Sequence, residues 1–208
     1  MEERITESMS ETRPHVGGVI LAAGEAKRMG STKQLLDLGG RPLLQHVLDA
    51  AGASSLDELV LVVGHDAEAV LEAVDPGRAR VVINPLYGEG QSTSLKAGLA
   101  SLRPGLHGAL VLLGDQPFVT TDIIDRLVAA FVGTDAPVVA PSVEGRRSNP
   151  VLVREDLFPA LLAVSGDQGG REVVAGFASE TVLVPVEGPG IEIDVDTAAE
   201  LEHVRSLW

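Results

Sequence analysis

The chain has 208 residues, 45% of them hydrophobic, and sets 30 acidic side chains against 16 basic ones for a net charge of −14. That acidity argues against a nucleic-acid-binding face and against attachment to an anionic membrane surface. There is no cysteine, which excludes disulfide frameworks and thiolate metal sites.

Residues 1–15 are polar, mixed in charge and without an apolar core, and are expected to form a disordered tail that is neither a signal peptide nor a membrane anchor. No later apolar run approaches a membrane span, so a cytoplasmic protein is expected. Residues 16–208 are expected to form a single domain.

The first predicted strand, Val16 to Ala22, runs into a glycine-bracketed loop, Gly24 to Gly30, that leads to Lys33. Two of the chain's three lysines, Lys27 and Lys33, fall here together with Arg28. Glycines let backbone N–H groups approach a ligand, and cations neutralise phosphate oxygens, so the loop reads as a polyphosphate grip. It is not a Walker A loop, because Gly30 is followed by Ser31-Thr32-Lys33, nor a dinucleotide fingerprint, because Gly24 is followed by Glu25-Ala26.

A helix over Leu43 to Ala51, a strand over Leu59 to Val63 and a helix over Ala67 to Val74 follow. In the connection Gly64-His65-Asp66, Asp66 reads as the N-cap of the next helix and His65 is not taken as a base. A strand over Arg80 to Ile83 precedes a helix over Ser92 to Ser101. That helix opens on Ser92, Thr93 and Ser94 behind two glycines, more hydroxyls than a cap needs, so they suit either capping or hydrogen bonding to a base or ribose.

The strand Ala109 to Leu113 ends in Gly114-Asp115-Gln116-Pro117, where Asp115 is the first candidate metal ligand and its alternative is a turn residue. A helix over Thr121 to Phe131 and strands over Pro137 to Ala140 and Val151 to Val153 follow. Between the two strands lies the loop Arg146-Arg147-Ser148-Asn149-Pro150. A helix over Glu155 to Ala163, the loop Asp167-Gln168-Gly169-Gly170-Arg171 and a strand over Thr181 to Val184 come next. Both loops suit an acceptor substrate or solvated turns.

An irregular connection, Val186 to Ile191, leads to Asp194, the candidate second carboxylate for a divalent ion, and to Asp196, its reserve or an N-cap for the last helix, Thr197 to Leu207. Near-continuous apolar strands alternating with helices imply an α/β protein with a mainly parallel sheet covered on both faces. Ligands then bind beyond the carboxyl ends of the strands.

The motifs Leu-Ala-Ala-Gly-x-x-x-Arg-Met-Gly-x-x-Lys from Leu21, Gly-Asp-Gln-Pro from Gly114, Asn-Pro-Val from Asn149, Gly-Asp-Gln-Gly-Gly-Arg from Gly166 and Asp-Val-Asp-Thr from Asp194 resemble those of the MobA-like nucleotidyltransferases. Within that family the molybdenum-cofactor cytidylyltransferases are most similar, and the resemblance runs in order from Val16 to about Val204. It implies a three-layer α/β/α, Rossmann-like, mostly parallel sheet of the nucleotide-diphospho-sugar transferase type. The implied reaction moves CMP from CTP to the terminal phosphate of the molybdopterin cofactor and releases pyrophosphate.

By the same resemblance, Arg28 and Lys33 bind the triphosphate, Asp115 and Asp194 hold Mg²⁺ or Mn²⁺, and Ser92 to Ser94 face the base. Leu21, Ala22, Ala23, Gly24, Gly64 and Gly114 complete the nucleotide side; Gln116, Pro117, Asn149, Pro150, Asp167, Gly170 and Arg171 hold the acceptor. Ala23 stands where guanylyl-transferring relatives carry a second glycine, which favours cytidine. Ala26 and Ser148 depart from the family's usual serine and glycine. The partners implied are CTP, a molybdopterin-type phosphate and a molybdoenzyme or its maturation chaperone. The alternatives are guanylyl or sugar-phosphate transfer on the same fold, or a non-catalytic nucleotide-binding chaperone.

Overall fold

The computed structural model describes residues 13–24, 32–167, 169–187, 191, 193, 195 and 197–208. The strands are β1 (Val16–Ala22), β2 (Asp37–Leu38), β3 (Arg41–Pro42), β4 (Glu58–Val63), β5 (Arg80–Ile83), β6 (Gly108–Leu113), β7 (Val138–Val143), β8 (Arg146–Arg147), β9 (Val151–Arg154) and β10 (Thr181–Pro185). The helices are α1 (Leu43–Ala53), α2 (Ala67–Ala73), α3 (Gln91–Ser101), α4 (Thr121–Val132), α5 (Phe158–Ala163), α6 (Arg171–Gly176) and α7 (Ala198–Leu207).

Eight strands form one sheet in the order β10-β7-β9-β6-β1-β4-β5, with β8 paired to β7. The pairs β1·β4, β1·β6, β4·β5 and β10·β7 are parallel. The exception is β9, antiparallel to both β6 and β7.

Successive strand residues point to opposite faces, and both faces are apolar. Ile20, Leu61, Val63 and Leu110 pack under Leu44 and Val47 of α1, Val70 of α2 and Leu127 of α4. Their chain neighbours Val19, Val60, Val62 and Ala109 pack under Leu95 and Leu99 of α3, Leu161 of α5 and Val174 of α6. At about 1.5–3 kcal/mol per fully buried aliphatic side chain, these two faces carry the three-layer arrangement. A smaller cluster, Leu38, Leu43, Val195, Leu201 and Val204, seats α7 on the β2–β3 hairpin.

Most expected elements form within a residue or two; the strand expected over Pro137 to Ala140 runs three residues further, to Val143, and three other segments differ. The helix expected over Glu155 to Ala163 is divided into a 3-10 turn (Glu155–Leu157) and α5, whose first turn contains Pro159. Proline lacks an N–H and is tolerated in a helix only there, so the α-helix begins beside it. The loop expected at Arg146-Arg147 is the short strand β8, folded onto β7 by Glu144 and Gly145, both at positive φ as a tight hairpin turn requires. Arg171, expected in a loop, opens α6. Residues 1–12 lie outside the described residues, and Arg13 to His15 are held by Ser55, Asp57 and His107. Among the described residues, no helix is long and apolar enough to cross a membrane.

Candidate functional site

Three connections meet at the carboxyl ends of the central strands: that following β1, that following β6 and that between β5 and α3. The exit of β6 is fixed by Gly114 N–H donating to Leu21 O (2.9 Å) and Gln116 N–H to Leu113 O (3.3 Å). This turn presents Asp115, only 8% exposed. Lys33, on the 3-10 turn Lys33–Leu35, reaches across to form an ion pair with Asp115 Oδ2. Their side chains are 18% and 11% exposed, so the two charges face each other largely out of water, where Coulomb attraction is least screened.

Beside Lys33, Gln34 is buried and donates from Nε2 to Gly24 O at 3.2 Å. Among the described residues, its Oε1 has no hydrogen-bond partner. Ala23, Gly24, Lys33, Gln34 and Asp115, together with Tyr87, Gly90 and Ser94, line a cavity of about 340 Å³. A second cavity of about 330 Å³ adjoins it and shares Leu21, Gln91 and Leu113 as a common wall. The second cavity has a floor of Leu21, Val111, Leu113, Val151 and Val153, and polar groups from Gln116, Arg147, Asn149 and Arg171. The arrangement is one charged compartment and one apolar compartment ringed by cations and amides.

Among the sequence-predicted residues, the structure brings Leu21, Ala23, Gly24, Lys33, Ser94 and Asp115 to the charged cavity. Gln116, Asn149, Gly170 and Arg171 lie at the apolar one. Asp167, expected with the acceptor residues, lines the charged cavity, because Gly166 packs against Gly90 and turns the start of the loop that way. Ala22, Gly64, Gly114, Ser92, Thr93, Pro117 and Pro150 line neither cavity.

The Thr93 hydroxyl is engaged locally: its single proton has Leu86 O and Gly90 O as acceptors (each at 2.9 Å), and its oxygen accepts from Asn84 Nδ2 (2.9 Å), so it stitches the β5–α3 connection together. Arg28, Lys27, Ala26, Asp194 and Asp196 lie outside the described residues. Gln34, Tyr87 and Gln91 were not anticipated. Gln34 carries no signal beyond its place next to Lys33, and Tyr87 and Gln91 flank a glycine pair read only for its hydroxyls.

Among the described residues no group of three or more His, Asp or Glu side chains could hold a metal unaided. Asp115 nevertheless offers a nearly buried, hard oxygen donor, and Mg²⁺ or Mn²⁺ commonly takes one or two carboxylates with substrate phosphates and water. The residues therefore fit a divalent ion that arrives with a polyphosphate.

A mostly parallel sheet between helical layers, with this charged cleft at its strand ends, has the architecture of the nucleotide-diphospho-sugar transferase fold, and the family model that matches it is that of a nucleotidyltransferase. The MobA-like NTP transferase domain matches residues 18–182, and the chain belongs to that family. It is similar to nicotine blue oxidoreductase of Paenarthrobacter nicotinovorans, with 32% identity over 90% of this chain and 95% of that protein. It is also similar to purine catabolism protein PucB of Bacillus subtilis, with 30% identity over 92% of this chain and 97% of PucB. Rv0371c of Mycobacterium tuberculosis H37Rv superposes with a TM-score of 0.84 at 28% identity, covering 94% of this chain and all of that one. A structure of Rv0371c in complex with manganese gives 0.80 at 26% identity, over 92% and 98% of the two chains.

Proposed function

We propose that this nucleotidyltransferase moves CMP from CTP to the terminal phosphate of a molybdopterin-type acceptor and releases pyrophosphate. The observation that carries the reading is the Lys33–Asp115 pair at the base of one cavity, adjoining a second, apolar cavity fringed by Arg147 and Arg171. A nucleoside triphosphate and a flat acceptor with an anionic end then meet at Leu21, Gln91 and Leu113.

An oxygen of the acceptor phosphate attacks the α-phosphorus of CTP; the bond from that phosphorus to the bridging oxygen breaks, and pyrophosphate leaves with the electron pair. The nucleophile is already an anion, so no side chain need take a proton. Positioning and charge neutralisation supply the rate. Lys33, with Arg28, neutralises charge growing on the pyrophosphate. Asp115, with Asp194, would hold Mg²⁺ or Mn²⁺, whose chemistry is to polarise the phosphoryl oxygens. Ser94 and the β5–α3 connection face the nucleoside, with Ala23 favouring cytidine; Gln116, Asn149, Gly170 and Arg171 hold the acceptor. The product would pass to a molybdoenzyme or its maturation chaperone.

The test incubates the protein with each nucleoside triphosphate in turn, Mg²⁺ or Mn²⁺ and the pterin phosphate, and measures pyrophosphate. Release with CTP and the acceptor supports the reading; release with GTP, or only with a sugar phosphate, replaces the substrate assignment. Binding without release makes the protein a nucleotide-binding chaperone. The name of the Paenarthrobacter relative adds a redox arm: oxidation of NADH or NADPH without pyrophosphate release would displace nucleotidyl transfer.

A further inference from the structure

Among the described residues, two sets of contacts secure the turn that carries Lys33. On the downstream side, Leu35 N–H bonds to Thr32 O (2.9 Å), Leu36 N–H to Lys33 O (3.1 Å) and Leu43 N–H to Leu36 O (2.9 Å), while Leu35 packs on the core. On the upstream side, the Thr32 hydroxyl donates to Asp66 Oδ2, a residue distant in sequence at the exit of β4.

Asp66 occupies the N-cap position of α2 as the sequence reading expects, but its carboxylate makes no capping hydrogen bond. Its backbone is left-handed, at φ 49 and ψ 34. Aspartate tolerates that conformation better than most residues, and such backbone outliers concentrate at functional sites. Turned this way, Oδ2 accepts from Thr32 and lies 3.2 Å from His65 Nδ1, with which it makes no hydrogen bond. His65 in turn packs edge-on against Tyr87, at 5.8 Å between ring centroids, and Tyr87 lines the charged cavity.

We infer that Asp66 is a positioning residue for Lys33, fixing the start of its turn through the Thr32 hydroxyl so that the ammonium is held opposite Asp115. The consequence for nucleotide affinity rests on the proposed role of Lys33; the positioning itself does not. A single charge-assisted hydrogen bond of ordinary strength at a half-exposed site corresponds to roughly fivefold in apparent affinity.

The test compares Thr32→Val, Asp66→Gly and the double variant with the conservative Thr32→Ser and Asp66→Asn. Glycine at 66 keeps the left-handed backbone accessible while removing the carboxylate. Acylation of the amines is followed residue by residue by mass spectrometry, with Lys96 as the internal reference. Lys33 should label several-fold faster in Thr32→Val and in Asp66→Gly, the double variant should add nothing further, and Thr32→Ser and Asp66→Asn should keep the parent rate. KM for CTP should rise about fivefold in the two deleting variants, with kcat changed less and with Tm within a few degrees of the parent.

Parent-like labelling of Lys33 in both deleting variants, or effects that add as for independent sites, would overturn the inference. Faster labelling with unaltered CTP kinetics would uphold the positioning and instead remove Lys33 from the nucleotide site.

Discussion

Removing either member of the Lys33–Asp115 pair should stop transfer, but the two losses should differ in stability and in their response to metal. Lys33→Met leaves a carboxylate that is 11% exposed without its cation. Breaking a fully buried pair in this way costs about 3–5 kcal/mol, and the residual exposure reduces that to about 2–3 kcal/mol. For a chain of this size 1 kcal/mol corresponds to about 2–4 °C, so Tm should fall by about 4–12 °C. Asp115→Ala leaves an ammonium on a four-carbon stem that is 18% exposed and can reach water, so the loss should be about 1 kcal/mol or less.

A divalent ion should then separate the two. On Asp115 it takes the place of the missing ammonium, and at a concentration near a hundred times its Kd it returns about 2.7 kcal/mol. Thermal unfolding with and without Mn²⁺ or Mg²⁺ should therefore show Lys33→Met rescued by several degrees and Asp115→Ala unmoved, while pyrophosphate release falls by roughly a hundredfold or more in both. Equal deficits with equal metal responses would refute Asp115 as a ligand, independently of turnover.

Three further outcomes follow from the packing and the charges. Gly98 of α3 lies directly on the sheet: a Cβ there would stand 2.2 Å from Val19 Cγ1 and 3.1 Å from Val62 Cγ2. Gly98→Val should cost at least the usual 1–3 kcal/mol of overpacking, read as a lower denaturation midpoint, and an unchanged midpoint would deny that α3 is seated there. Gly90 has φ +115, and its Cβ would lie 2.6 Å from Gly166 C. Gly90→Ala should therefore disturb both cavities and raise KM for nucleotide and acceptor together; a change confined to one would show that the Gly90–Gly166 contact does not join them. At the far end of the sheet, burial pushes the Asp57 pKa up, but hydrogen bonds from His15 and Val16 N–H and the charge of Arg13 outweigh it and hold the carboxyl below its usual 3.8. A folded-state pKa below the unfolded one makes its contribution complete above about pH 4 and lost as pH falls through the folded value. Asp57→Asn should flatten that acid limb of the stability curve, and an identical acid midpoint in parent and variant would exclude the group.

The strand exits were legible because the apolar runs end where the chemistry begins. Val16 to Ala22 stops at the glycine loop, and Ala109 to Leu113 stops at Gly114-Asp115. A strand buried on both faces needs an unbroken apolar run, so its end is sharp in one dimension. The orientation of β9 was not legible, since an apolar run reads the same whichever way the neighbouring strand points. Asp66 was legible as the N-cap residue of α2 but its carboxylate's partner was not: an aspartate ahead of a helix signals a cap, and only the fold brings Thr32 within reach of its carboxylate.

The two cavities differ in the same respect. From β1 the chain crosses through α1 to β4 on one side, and β5 returns through α3 to β6 on the other, so the exit of β1 lies at a topological switch point where the sheet opens a crevice. The charged half of the cleft comes from the loops leaving β1 and β6 and the connection into α3, each a contiguous stretch of sequence. The apolar half depends on pairing. β9 must run antiparallel beside β6 in the register that sets Val151 opposite Val111 and Val153 opposite Ala109. Only then do Val151 and Val153 share a face with Val111, Leu113 and Leu21. A one-residue slip would turn those side chains to the opposite face and leave the polar rim without a floor. The lining of the charged cavity is therefore written locally in the chain, whereas the floor of the apolar one is a property of strand register.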